Sequence, residues 1–271
     1  MPELPEVETV VRGLREPLVG RTITGAVVDW PRTVAFPSTD EFEKHIAGRR
    51  VESVSRRGKY VVAKLDRGFL LIHLKMSGRL RIGPGREPPD RHTRIIFNLD
   101  DGRQLRFQDA RKFGRVYLVD DPAQVIGKLG PEPLAADFTL NSFRRLLARR
   151  SGRLKPLLLN QTFLAGLGNI YADEALFAAQ LHPLRQADSL LPEEQARLYE
   201  SIRAVLSQAI TGRGTTLDDR GYTDADGQAG TYQEQIAVYG RMGEPCLRCG
   251  APIERIVIGG RSSHFCRRCQ H

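Results

Sequence analysis

All four cysteines of the chain sit near its C-terminus, as Cys246-x-x-Cys249 and, sixteen residues later, Cys266-x-x-Cys269. Paired C-x2-C knuckles at this separation let four thiolates converge tetrahedrally on one Zn²⁺ and leave no coordination position open, which makes such an ion structural. The competing arrangement, two disulfides with three possible pairings, belongs to an oxidising compartment. Between the knuckles, Glu254 to Ile258 and Ser262 to Phe265 flank Gly259-Gly260-Arg261, the pattern of a β-hairpin whose tip presents an arginine. Residues 241–271 carry six Arg against two acids; after four thiolates and one zinc ion are counted, the finger stays positive at +2. A zinc-held hairpin with a basic tip suits a phosphate or a groove, and the plainer alternative is a structural clip.

The rest of the chain narrows the class. Its 271 residues are about two domains' worth, enough to bury a substantial core without disulfides. No stretch reaches the roughly 18 consecutive apolar residues of a membrane span. The opening MPELPEVETV holds three glutamates and neither a basic cluster nor an apolar core, so it does not read as a signal peptide, and the cytoplasm is the expected compartment. Lys and Arg number 41 against 32 acids, a net +9, which favours a polyanionic partner: DNA, RNA or an acidic membrane surface.

Patterning divides the chain. Val7, Val10, Val11, Leu14 and Leu18 form one stripe at helical spacing, with Pro5 and Glu6 suited to a first turn. Ser38 and Glu41 make a capping box for a short helix through Ile46. From about 51 to 119 come short runs rich in Val, Ile, Phe and Tyr (51–55, 60–65, 69–75, 93–99, 104–108 and 115–119), separated by turn signals, as in an antiparallel sandwich or barrel. Two prolines and two glycines in 127–133 mark a linker. Beyond it the period is helical: around Phe143 and Leu147, over 156–180 with a break at Gly166 to Asn169, and along Leu198, Ile202, Val205, Leu206 and Ala209. Residues 212–231 are polar and glycine-rich and read as a flexible loop.

Four segments then line up: MPELPEVETV at the start, HLKMSGRL at 73–80, GLGNIYADEALF at 166–177, and GGRSSHFCRRCQ in the finger. Together they resemble the formamidopyrimidine-DNA glycosylases, bacterial enzymes that excise 8-oxoguanine and ring-opened purines. The resemblance covers both ends and the middle of the chain. It implies an α+β protein of two domains, with an N-terminal antiparallel β-sandwich flanked by helices and a C-terminal helical domain holding a helix-two-turn-helix and a four-cysteine zinc-finger hairpin. The corresponding boundaries are 1–126, a linker at 127–133, 134–236 for the helices and 237–271 for the finger. One structural Zn²⁺, no organic cofactor, a monomeric state and a nucleoid-associated location follow from the same resemblance. The implied partner is duplex DNA with an oxidised purine, preferably opposite cytosine.

The resemblance also assigns roles. Removal of Met1 would leave Pro2 with a secondary amine, the implied nucleophile, which attacks C1′, expels the base and forms a Schiff base. The resulting iminium has no N–H proton to lose, stays cationic and acidifies the C2′ protons, so strand cleavage by β- and then δ-elimination is chemically reasonable. Glu3 is the implied general acid and base, with Glu6 orienting the chain end. Lys59 matches a lysine implicated in base removal and β-elimination. Arg261 matches a finger-tip arginine that contacts phosphate and is assigned proton donation in δ-elimination; its high pKa makes charge stabilisation of the departing phosphate the better description. Met76, Arg111 and Phe113 match the three residues that fill the gap left by an everted base. His92, Arg153, Lys155 and Asn169 are the implied phosphate contacts, and Glu174 a structural partner. The four cysteines are the metal ligands.

One segment departs from the pattern. After Gly214-Thr215-Thr216-Leu217 the chain reads Asp218-Asp219-Arg220-Gly221-Tyr222, where relatives carry an arginine and then Asp-Phe, in a loop that covers the everted base. Lesion preference is what that change touches. The nearest rival family is endonuclease VIII, which prefers oxidised pyrimidines; Leu4-Pro5-Glu6-Val7 and the Met76, Arg111, Phe113 set favour the purine enzyme. A non-catalytic DNA-binding protein on the same scaffold is the rival from another class.

Overall fold

The computed structural model describes residues 1–217 and 222–271. Contacts divide the chain into two compact units, Met1–Lys128 with Gly212–Gln233, and Leu129–Thr211 with Glu234–His271.

In the first unit, α1 (Leu4–Leu18) starts almost at the chain end, because Pro5 supplies a helical φ and the Glu6 side chain accepts from the Glu3 N–H at 2.8 Å. Its stripe of Val7, Val10, Val11, Leu14 and Leu18 is buried throughout. β1 (Thr22–Val28), β2 (Val34–Phe36), α2 (Thr39–Ile46), β3 (Arg49–Arg57), β4 (Tyr60–Leu65), β5 (Phe69–His73), β6 (Gly78–Pro84), β7 (Thr93–Leu99), β8 (Arg103–Asp109), β9 (Arg115–Val119) and the short α3 (Ala123–Ile126) follow. The strands hydrogen-bond in the order β2-β9-β5-β4-β3-β1-β7-β8-β6. β2 runs parallel to β9, and every other pairing is antiparallel. β1 meets β3 only at Thr22↔Arg50 and Ile23↔Arg49 before it swings along β7, so a short seam joins the two halves of the sheet. Val54, Val61 and Ile72 from one half and Phe97, Leu105 and Phe107 from the other bury into a single core with the α1 stripe. Two sheet halves sharing one core are the two layers of the expected sandwich.

The segment after Thr211 corrects a sequence expectation. Its polar composition suggests a flexible loop inside the helical domain, yet its described part packs in the first unit, with Tyr222 and Ala225 buried in the sandwich core. The Tyr222 hydroxyl donates to the Arg213 carbonyl at 3.1 Å, and the Asp224 carboxylate accepts from the Asp226 and Gln228 N–H groups. One buried aromatic ring and one capping carboxylate outweigh the glycines around them. The departure noted at Asp218 to Gly221 lies outside the described residues.

In the second unit, α4 (Leu140–Leu147), α5 (Leu154–Leu159), α6 (Asn169–Ala178) and α7 (Pro192–Thr211) precede the hairpin of β10 (Glu254–Ile258) and β11 (Arg261–Phe265). Phe138, Phe143, Phe163 and Tyr199 pack ring against ring at centroid distances of 5.8–6.3 Å. α6 is buried from Ile170 through Phe177, which forces its two acids, Asp173 and Glu174, to find partners inside the protein. At the hairpin tip Gly259 and Gly260 both have positive φ, +56° and +75°, the two-residue turn that suits the right-handed twist of a hairpin. No helix among the described residues is long and apolar enough to cross a membrane.

Candidate active site and nucleic-acid interface

Pro2 is buried directly behind an exposed Met1. With Met1 attached its nitrogen is an amide without nucleophilic character, and only loss of Met1 makes it an amine. Two carboxylates, Glu3 and Glu6, each 2% exposed, flank this end. Glu6 uses both oxygens: Oε2 accepts from the Glu3 N–H, and Oε1 accepts from the Thr215 N–H at 2.7 Å. Gly214, at φ +82°, makes this possible, because a Cβ there would stand 2.7 Å from Glu6 Oε1. The chain end is therefore fixed by a carboxylate clamped to a segment some two hundred residues away.

Lys59, 6% exposed, sits in the tight turn between β3 and β4. Across the β4–β5 ladder Tyr60 faces His73, with the rings edge to face at 4.6 Å. Burial first, and then the nearby charges of Lys75 and Lys59, push the His73 imidazole down to about 3, so its ring is neutral and its Nδ1 accepts from the Lys75 N–H at 3.0 Å.

Met76 and Phe113 are 39% and 48% exposed, a large apolar surface for two loop residues of a folded unit. They come from different loops, β5–β6 and β8–β9, which hydrogen bonds tie together: the Arg111 N–H donates to Ser77 Oγ at 3.1 Å, and Ser77 donates to the Asp109 carboxylate. The Arg111 guanidinium lies 5.4 Å from the Phe113 ring centroid, and Lys112 caps the Trp30 ring at 3.8 Å. His92 is close in the backbone, its carbonyl accepting from the Asp109 N–H at 2.8 Å. The structure thus gathers Met76, His92, Arg111 and Phe113 at one edge of the sandwich, around an acid that sequence reasoning passed over. Asp109 ends a strand next to Ala110-Arg111, where an acid reads as ordinary turn punctuation, so no sequence signal marked it.

In the second unit Arg153 and Arg261 are exposed, at the start of α5 and at the hairpin tip. Asn169 begins α6, and the positive end of the helix dipole there favours an anion. Its amide donates to Ser262 Oγ at 3.3 Å, while its Oδ1 is shielded from solvent with no hydrogen-bond partner. Lys155 is a correction. It is 0% exposed, with Nζ bonded to Asp173 Oδ1 at 2.6 Å and to the Asn169 carbonyl at 2.9 Å, so the structure does not offer its charge to a phosphate. Asp173 also accepts from Ser263 Oγ at 2.7 Å and from the His264 N–H at 2.9 Å, binding the hairpin to α6. Glu174 accepts from the N–H groups of Ala237, Val238 and Tyr239 at 2.8–2.9 Å and so holds the approach to the finger; burial raises its pKa against those three bonds. Asp173 was missed, although an Asp-Glu pair inside an all-apolar helix is the signal that could have found it.

The four cysteine sulfurs all lie within 4.8 Å of one another, with Cys246–Cys269 at 3.9 Å and Cys249–Cys266 at 3.5 Å, and none is in a disulfide. A tetrahedron of four sulfurs with Zn–S near 2.3 Å has edges of about 3.8 Å, so the donor set fits one Zn²⁺.

Exposed apolar and basic loop tips on a β-sandwich, a helix N-terminus beside a basic hairpin tip, and a closed four-cysteine zinc site define a nucleic-acid-binding protein; buried carboxylates around an N-terminal proline mark it as an enzyme. Comparison with known proteins makes this specific. Residues 1–116 match the formamidopyrimidine-DNA glycosylase N-terminal domain, 129–220 the formamidopyrimidine-DNA glycosylase H2TH domain, and 243–271 the zinc finger found in FPG and IleRS. The formamidopyrimidine-DNA glycosylases of Pelotomaculum thermopropionicum and Herpetosiphon aurantiacus are each 50% identical, over 100% of this chain and 99% and 100% of their own lengths. The crystal structure of the FPG protein from Thermus thermophilus superposes with a TM-score of 0.90 at 44% identity, covering 99% of this chain and 98% of that one. A Lactococcus lactis FPG mutant bound to a Fapy-dG containing DNA gives a TM-score of 0.92 at 37% identity, with 100% of both chains covered. The chain belongs to the formamidopyrimidine-DNA glycosylase family.

Proposed function

We propose that this protein is a base-excision repair enzyme that removes 8-oxoguanine and formamidopyrimidines from duplex DNA and then cleaves the strand. The observation that carries the reading is the chain end: Pro2 lies one residue behind an exposed Met1, with two buried carboxylates beside it, one of them held in place by two backbone N–H groups. Once Met1 is removed, the Pro2 amine attacks C1′, the base departs with a proton from Glu3, and the iminium at Pro2 serves as electron sink for loss of the C2′ proton. Lys59 supplies positive charge near the reacting sugar and assists base removal and β-elimination. Arg261 stabilises the departing phosphate, a role suited to an exposed guanidinium at a rigid hairpin tip.

Eversion of the base costs a few kcal/mol and leaves a gap in the duplex. Phe113 wedges between bases, Met76 fills the vacated stack, and Arg111 hydrogen-bonds to the orphaned cytosine. His92, Arg153 and Asn169 contact phosphates, while Lys155 supports Asn169 from below. Zn²⁺, when bound by Cys246, Cys249, Cys266 and Cys269, supplies structural closure of the finger and no chemistry. The protein works as a monomer, in the cytoplasm and in association with the nucleoid where its substrate lies.

The discriminating experiment compares excision of 8-oxoguanine opposite cytosine with excision of an oxidised pyrimidine in the same duplex. Faster release of 8-oxoguanine is expected. Preference for the pyrimidine would move the protein to the specificity of endonuclease VIII, and release of neither would leave a non-catalytic DNA-binding protein.

A further inference from the structure

The structure assigns to Asp109 the positioning of the duplex-filling loops, an inference that rests on the excision reading above. Asp109 is 1% exposed at the end of β8, and its main chain is fixed on both sides: its N–H donates to the His92 carbonyl, and its carbonyl accepts from Arg94 Nε at 2.9 Å. Arg94 is itself held by Asp29 at 3.2 Å. The side chain then reaches into two loops at once. Oδ1 accepts from Ser77, the residue after Met76, and from the Arg111 N–H at 3.2 Å; Oδ2 accepts from the Gly114 N–H, next to Phe113, at 2.7 Å. Ser77 Oγ closes the circuit by accepting from the Arg111 N–H.

Every group around this carboxylate is a donor: Oδ1 bridges the two loops through Ser77 and the Arg111 N–H, and Oδ2 holds the β8–β9 loop a second time at Gly114. Met76, Arg111 and Phe113 therefore stand at fixed spacing although their side chains are exposed and share no core packing. Rigid spacing matters because the three side chains have to enter one duplex together, and freely moving tips would lose that entropy on binding. Asp109 touches neither substrate nor reacting atoms; it acts through the loops.

Asp109→Asn tests this, since it keeps the size and turns one acceptor into an NH2 that faces donors. Ser77→Ala serves as a milder second variant, because it removes only the bridging hydroxyl. Two substrates are compared under single-turnover conditions: a duplex with 8-oxoguanine opposite cytosine, and a single-stranded oligonucleotide with a preformed abasic site, whose cleavage needs Pro2 but no eversion and no gap filling. Expected for Asp109→Asn is a loss of about tenfold or more on the duplex with single-strand cleavage within about twofold of wild type, and the same pattern at smaller size for Ser77→Ala. Duplex excision at the wild-type rate in both variants overturns the inference. Equal losses on both substrates overturn it as well, because they mark general damage to the fold. Wild-type protein that cleaves the abasic strand yet never excises the base removes the excision reading itself, and with it this role for Asp109.

Discussion

At residue scale, His73 gives the first unit a pH dependence. The unfolded chain takes up the imidazole proton near the ordinary pKa of about 6.5. The folded chain holds off until about 3, first because the ring is buried and then because Lys75 and Lys59 lie near. Between those values the unfolded state binds more protons, so stability falls as pH drops, by at most about 1.4 kcal/mol per pH unit from this group. Urea unfolding between pH 7 and pH 5 should show the fall, and His73→Phe should flatten it; an unchanged slope in the variant would assign the dependence to other groups. Gly214 is the second sensitive residue. Gly214→Ala combines a positive φ with a Cβ against Glu6 Oε1, and it should destabilise by about 2 kcal/mol or more in denaturant unfolding. The same pair shows how far the sequence could be read. Glu6 is legible as a first-turn carboxylate, because a helix start is local; its bond to Thr215 is not, because nothing in either segment names the other.

At the scale of elements, α6 and the hairpin share a buried ionic centre. Removing one partner of the fully buried Lys155–Asp173 pair leaves an uncompensated charge and should cost about 3–5 kcal/mol, read by denaturant unfolding of Lys155→Met. The paired change Lys155→Met with Asp173→Leu should recover much of that loss; a double variant no better than the single would show that the bonds of Asp173 to Ser263 and His264 dominate. The helices α1, α4 and α7 are legible in sequence because their buried stripes repeat at 3.6 residues. So are most strands between 51 and 119, which alternate or run apolar. β1, β2 and β6 are not. β2 has three residues, and β6 is largely half-exposed Arg, Gly and Pro, so pairing with neighbours rather than its own pattern makes it a strand. The burial of Tyr222 was not legible for a related reason: a lone aromatic in a polar, glycine-containing segment has no period, and only the core it enters explains it.

At the scale of the whole molecule, the net charge of +9 favours a polyanionic partner such as DNA, and under the proposed function Arg153 is one of the residues that hold a phosphate. Arg153→Ala should weaken binding to damaged and undamaged duplex alike and lower the slope of log affinity against log salt by about 1. An unchanged slope would remove Arg153 from the contact set. Lys155→Met should leave the slope within error, since that charge is already neutralised inside the protein. The family was legible from four short segments because each is tied to backbone geometry or metal coordination, whereas the supports behind them, Asp109 and Asp173, emerge only when distant segments meet. Pro2 is the proposed nucleophile of the reaction, and everything else at the chain end serves that role. This role of Pro2 is tested most directly by borohydride reduction during reaction of the protein beginning at Pro2 with a duplex containing 8-oxoguanine opposite cytosine, followed by mass spectrometry of the trapped peptide. A covalent adduct on the Pro2 nitrogen, absent when Met1 is retained, is the predicted result; no adduct, an adduct on another residue, or equal trapping with Met1 in place would contradict it.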